Sequence, residues 1–215
     1  MADDDIMNRT EDNPELPPIT TQSESMSFPF ATNTFPFVSA KVIQAAACVL
    51  RASESPVGRM RLLKLLYLAD RESLAEIGRP ITGDRMVSLD KGPILSRTYD
   101  MIKGTDPDAP SWQKVFQNRF YLVIQQADVG VDLLTRYEAG KLQAVVGKYR
   151  DMDDEELSAL THTLPEYKNP NGGSIPITLD DILRAVGREG DIDSIKRDAH
   201  EQTVVHRALT RSVGV

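Results

Sequence analysis

"RMRLLKLLYLADRESLAEIG", residues 59–78, decides how this chain folds. Leu62, Leu63, Leu65, Leu66, Leu68 and Ala69 leave a helix here almost no polar side, and a helix that is apolar nearly all round belongs inside a core. Lys64, Tyr67 and Arg71 share the one stripe that remains. Gly78 stands where a left-handed C-terminal cap is expected, and Pro80 stops any continuation. A lysine on so apolar a helix is expected to run its stem along the surface and lift its ammonium to solvent. Pairing with a carboxylate such as Asp90 is the alternative.

Upstream, Val38, Val42, Ile43, Ala46, Val49 and Leu50 recur at helical spacing, which predicts a helix from about Val38 to Ala52 with Ser39 as its N-cap. Downstream, "DRMVSL" (84–89) is short and β-prone. The charged pair Asp90-Lys91 and the breaker Gly92-Pro93 follow it. Gly92 offers conformational freedom and Pro93 a fixed φ, so "ILSRTYDMIKG" reads as a helix running to Gly104. "TDPDAPS" reads as a loop. In "SWQKVFQNRFYLVI" Trp112, Lys114 and Phe116, then Phe120, Leu122 and Ile124, alternate, which predicts a β-hairpin with Asn118 near its middle.

Thr135 with Glu138, and Asp153 with Glu156, spell capping boxes that open two further helices, the second stopped by Pro165. "NPNGGSIP" reads as a loop, Thr178 caps "LDDILRAVGR", and "IDSIKRDAHEQTVVHRALTR" closes the chain as a last helical segment. The expected fold class is α+β and mostly helical: a helical domain with a small antiparallel β-sheet.

At 215 residues, with 40% hydrophobic and 27% charged side chains, the chain has the length and balance of one globular domain plus a tail. The net charge of −7 is concentrated at one end: residues 1–37 hold seven carboxylates against Arg9 alone, and five of the thirteen prolines. Such a segment cannot offset its ordering entropy by burial, so residues 1–37 are expected to be a flexible acidic extension and 38–215 a single folded domain. Within the extension, Phe28, Phe30, Phe35 and Phe37 are expected to pack on the edge of the folded body, or else to present a linear motif to a partner.

The nearly neutral body argues against direct DNA binding, which needs phosphate neutralisation. No run approaches the ~18 apolar residues of a membrane span, and the acidic start lacks the basic flank of a secretory signal. The single cysteine, Cys48, allows neither an internal disulfide nor a multi-cysteine metal site, and a cytoplasmic protein is the expectation.

Catalytic templates fit poorly. The acidic run from Asp151 to Glu156 lacks the glycine and distant glutamate of a calcium loop, and helix capping accounts for it. Neither "NGGS" nor "DKGPI" leads into a lysine-bearing helix start, so no phosphate loop is read. His162, His200 and His206 are too dispersed for a zinc motif. No cofactor, metal or catalytic residue is expected. His162 falls near a helix end, where an imidazolium gains from the dipole; an enzyme using His162 with Lys64 or a carboxylate is the rival reading.

In order along the chain, Lys64-Leu65-Leu66-Tyr67, Gly92-Pro93-Ile94 with Tyr99, Tyr149 before Arg150, and Thr161-His162 with Tyr167 resemble the Panacea domain, the SocA-like antitoxin family. The resemblance covers about residues 38–185. Isoleucine stands at Ile94 where the family's pattern has valine, and Tyr167 stands where tryptophan is expected; both changes conserve packing. The resemblance implies an antitoxin that binds a cognate protein toxin from an adjacent gene and neutralises it by direct contact. The alternative it carries is an adaptor delivering that toxin to the ClpXP protease. It implies no catalysis. The expected partner-binding residues are Lys64, Tyr67, Asp90, Lys91, Gly92, Pro93, Tyr99 and His162, built around the "DKGPI" corner.

Overall fold

The computed structural model describes residues 35–54 and 56–213. Its first half contains α1 (Ser39–Ala52), β1 (Val57–Gly58), α2 (Arg59–Ile77), β2 (Met86–Leu89), β3 (Gly92–Leu95), α3 (Ser96–Lys103) and α4 (Ala109–Val115). Then come β4 (Phe116–Arg119), β5 (Leu122–Gln125), α5 (Arg136–Lys148), α6 (Asp154–His162), β6 (Ile175–Ile177), α7 (Leu179–Ala185) and, after a short 3-10 turn, α8 (Ile192–Val213). The fold is mostly helical α+β. Among the described residues there are two three-stranded antiparallel sheets, ordered β1-β5-β4 and β3-β2-β6, where the sequence predicts a single small one.

Helix α2 is the centre of the molecule. Every residue from Leu62 through Asp70 is buried, and α1, α5, α6 and β3 surround it. Each leucine so enclosed contributes about 2 kcal/mol of apolar burial. Its end is as the sequence predicts: Gly78 caps at φ +72°, its N–H donating to Leu74 O at 3.1 Å. Helix α1 packs beside it, and its Ala45, Ala46 and Ala47 are fully buried, small enough for close approach of neighbouring elements. The buried Gln44 of α1 is fully employed. Its amide donates to Val129 O (2.9 Å) and Asp132 (2.7 Å), and its oxygen accepts from Leu133 N (2.8 Å).

The three predicted helix starts at Thr135, Asp153 and Thr178 all form capping boxes. Ser39 is different: it is already the first helical residue, Val38 is the N-cap, and no side chain caps α1. Helix α3 begins at Ser96, not Ile94, because Gly92–Leu95 pairs with β2 as a strand. Trp112 and Lys114 lie in α4, so only Phe116 to Gln125 forms the hairpin, and Asn118 sits in its first strand rather than at the turn. Ile175 and Pro176, expected in a loop, belong with Ile177 to the edge strand β6 that pairs with β2. Of the four N-terminal phenylalanines, Phe35 is buried and Phe37 packs on the core with the Arg97 guanidinium 4.0 Å over its ring. Phe28 and Phe30 lie outside the described residues, as does nearly all of the predicted extension. No helix among the described residues is long and apolar enough to cross a membrane.

Candidate functional site

The polar stripe of α2 becomes a seam against α6 and the segment that follows it. Lys64, 2% exposed, donates from Nζ to the Lys91 carbonyl and to Thr161 Oγ1 (2.8 Å). The Thr161 hydroxyl donates to Ser158 O (2.8 Å), which leaves its oxygen to accept from the lysine. One and two turns further on, Tyr67 Oη donates to Glu166 Oε1 (2.8 Å), and Arg71 grips the same carboxylate at 2.6 and 3.3 Å. The Glu166 side chain is wholly enclosed, with that guanidinium as its ion-pair partner.

Burial also sets the titration of the seam. With no carboxylate beside it, Lys64 is lowered by desolvation to about 8. Burial first, and then the Glu166 carboxylate, push the Tyr67 hydroxyl up. Also on α2, Asp70 accepts from Ile81 N (2.8 Å), Thr82 N (2.9 Å) and the Thr82 hydroxyl. Burial nonetheless raises it to about 7, against the pull of those donors.

What the seam holds is the turn between β2 and β3. Leu89 pairs with Gly92, so Asp90 and Lys91 form a two-residue hairpin loop. The carbonyls of three successive residues are each taken by side chains. Tyr167 Oη donates to Leu89 O (3.2 Å) and His162 Nε2 lies 3.0 Å from Asp90 O. Ser158 Oγ (3.1 Å) and Lys64 both serve Lys91 O. Because a carbonyl can only accept, His162 must carry its hydrogen on Nε2. Its ring also meets Tyr167 edge-on at 4.7 Å. The Asp90 carboxylate accepts from Gly172 N (2.8 Å), and Lys168 N donates to Ser88 Oγ (3.2 Å).

Gly92 makes this closeness feasible. It sits at φ +96°, and a Cβ there would come within 2.5 Å of Lys64 Nζ and 2.6 Å of Thr161 Oγ1.

The structure thus gathers seven of the eight sequence-predicted residues at one corner, at two depths. Lys64, Tyr67, Gly92 and Pro93 are buried, while Asp90 and Lys91 are exposed and His162 lies half-buried at the rim. Tyr99 stands apart on α3, half-buried, with Lys103 Nζ 4.6 Å over its ring. Lys64 neither reaches solvent nor pairs with Asp90: Gly92 and Thr161 close over it, and a carbonyl and a hydroxyl take the place of water. Ser158, Thr161, Glu166 and Gly172 complete the corner, and sequence reasoning gave none of them this role. Thr161 was legible only through the resemblance. Glu166 carries no local signal at all, since its partners are 95 and 99 residues away.

Chemically the arrangement fixes the position of a surface turn. Among the described residues no cluster of His, Cys, Asp or Glu could hold a metal ion. Cys48 is enclosed in α1, and burial pushes its thiol up, away from the reactive thiolate.

Residues 62–168 match the family model described as "Antitoxin SocA-like, Panacea domain". Neither a curated protein nor a solved structure matches the chain. The matched span is shorter than the resemblance read from the sequence, but it runs from the core of α2 to the residue after Tyr167 and holds both halves of the corner, the turn and the side chains that clasp it. Over residues 62–168 the chain therefore belongs to the SocA-like antitoxin, Panacea domain family.

Proposed function

We propose that the protein is the antitoxin of a toxin–antitoxin pair, and that it neutralises its cognate protein toxin by direct contact in the cytoplasm. The observation that carries this reading is the match of residues 62–168 to the SocA-like antitoxin family. The geometry supports it through the corner. A turn whose three carbonyls are clamped loses little conformational entropy on binding, which favours a recognition surface. In this reading Asp90, Lys91 and His162 meet the toxin, and Tyr99 extends the contact along α3. Lys64, Tyr67, Gly92 and Pro93 act from beneath, by holding the shape. The role is non-enzymatic.

The test is co-expression of the full chain with the toxin encoded by the adjacent gene. Restored growth and co-purification of the two proteins are expected; no rescue and no co-purification would sink the reading. Toxin half-life, measured with and without ClpXP, separates blocking from delivery. A half-life that the antitoxin leaves unchanged supports neutralisation by contact. One that it shortens only when ClpXP is present makes the protein an adaptor instead.

A further inference from the structure

The hairpin of β4 and β5 ends in a feature that folding does not explain. Arg119 pairs with Leu122, so the loop has only two residues, Phe120 and Tyr121. The first position of such a loop commonly requires positive φ and is usually filled by glycine or asparagine. Here it is phenylalanine, at φ +56°. Its side chain is 91% exposed and that of its neighbour Tyr121 is 64% exposed, so neither ring adds much to the core. A bulky residue held in a glycine conformation with its ring in solvent is a local conflict, and such conflicts concentrate at functional sites.

The surroundings point to a protein partner. Arg119 adjoins the tip in sequence, and Arg59 is fixed beside it by donating its backbone N–H to Tyr121 O at 2.8 Å. Both side chains are exposed, and among the described residues neither makes an ion pair or hydrogen bond. Two exposed aromatics flanked by two unpaired guanidinia have the composition of an interface hot spot. Beside the tip a cleft of about 340 Å³ is lined by Pro56, Val57, Arg61, Tyr121, Met152 and Asp154. Asp154 opens α6, whose last residue, His162, rests on the β2–β3 turn. The tip and the corner therefore flank the two ends of one helix about 13 Å long, a span that one partner can cover.

We infer that the Phe120–Tyr121 tip is an anchor for the cognate toxin, inserting into an apolar pocket on the toxin rimmed by carboxylates that face Arg59 and Arg119. The inference rests on the antitoxin reading and adds to it a second contact, remote from the "DKGPI" corner.

The test uses the full chain and the purified adjacent-gene toxin. Phe120→Gly is the informative variant, since glycine relieves the positive φ while removing the ring. Toxin affinity is expected to fall roughly 30-fold, with a Tm equal to or above that of the wild type. The double reversal Arg59→Glu with Arg119→Glu is expected to slow association and to flatten its dependence on salt. If the wild type binds the toxin and Phe120→Gly binds it equally well, the tip is not an anchor, although the antitoxin reading stands. If the wild type itself does not bind the toxin, both fail. Two other results overturn the inference in favour of a different occupant. One is a dimer of the free protein, seen by light scattering, that Phe120→Gly dissociates without changing toxin affinity. The other is binding of a mixed-sequence single-stranded RNA that the variant loses while keeping the toxin.

Discussion

At φ +96°, with the Lys64 ammonium and the Thr161 hydroxyl packed where a side chain would stand, Gly92 admits no other residue without rearrangement. Gly92→Ala combines left-handed strain with displacement of a buried cation. It is expected to lower stability by about 2–4 kcal/mol, read from urea unfolding, and to weaken toxin binding further than the stability loss explains. Lys64 beneath it gives the molecule a pH signature. Its folded value, about 8, lies below the ordinary 10.5. Between pH 8 and 10 the unfolded chain therefore holds a proton that the folded chain has released, and stability rises with pH. Urea titrations should show a gain on the order of 2 kcal/mol from pH 8 to 10, absent in Lys64→Met. The lysine's burial was not legible from its own helix. A lysine among leucines defaults to solvent, and what closes over this one comes from positions 27 and 97 residues away.

Among the elements, those announced by local chemistry formed where the sequence predicts them, and those defined by their neighbours did not. The capping boxes at Thr135, Asp153 and Thr178 need only their own first turn. Strand β3, by contrast, is buried at all four positions, because α2 and α6 cover what a half-exposed strand would show to water. No period of two survives, so the segment reads as the start of the next helix. Helix α4 is the converse case. Its buried residues Ala109, Trp112 and Val115 recur every third position, yet over seven residues the alternation of Trp112, Lys114 and Phe116 is equally visible. Helix α3 borrows its cap. Asp84, from the loop before β2, accepts from Arg97 N (3.0 Å), Thr98 N (2.8 Å) and the Thr98 hydroxyl (2.7 Å). Asp84→Ala strands these donors and is expected to cost about 2–4 kcal/mol, with faster hydrogen exchange at the Arg97 and Thr98 amides.

For the whole molecule, the matched family span ends at residue 168, but the structure around the corner does not. Strand β6 completes the β3-β2-β6 sheet, Gly172 N holds the Asp90 carboxylate, and Ile195 of α8 packs against the cap of α2 at Gly78. The exposed pair at the corner tests its role most cleanly. Asp90→Lys combined with Lys91→Glu reverses both surface charges and sacrifices only one hydrogen bond. Tm is expected to change by no more than a few degrees, while affinity for the toxin falls at least about tenfold by calorimetry. Unchanged affinity would remove the corner from the interface.

By itself the sequence determined the central helix, its left-handed stop, three capped helix starts and the order of motifs that marks the family. Each of these depends on residues within a turn or two of one another, where spacing alone dictates geometry. Only the tertiary structure decided that Lys64 is buried, that "DKGPI" is a hairpin turn rather than a strand-to-helix corner, and that Tyr167, His162, Ser158 and Lys64 converge on three successive carbonyls. Those contacts join positions 27 to 78 residues apart in the chain, and no local pattern can encode a partner that only folding brings within hydrogen-bond reach.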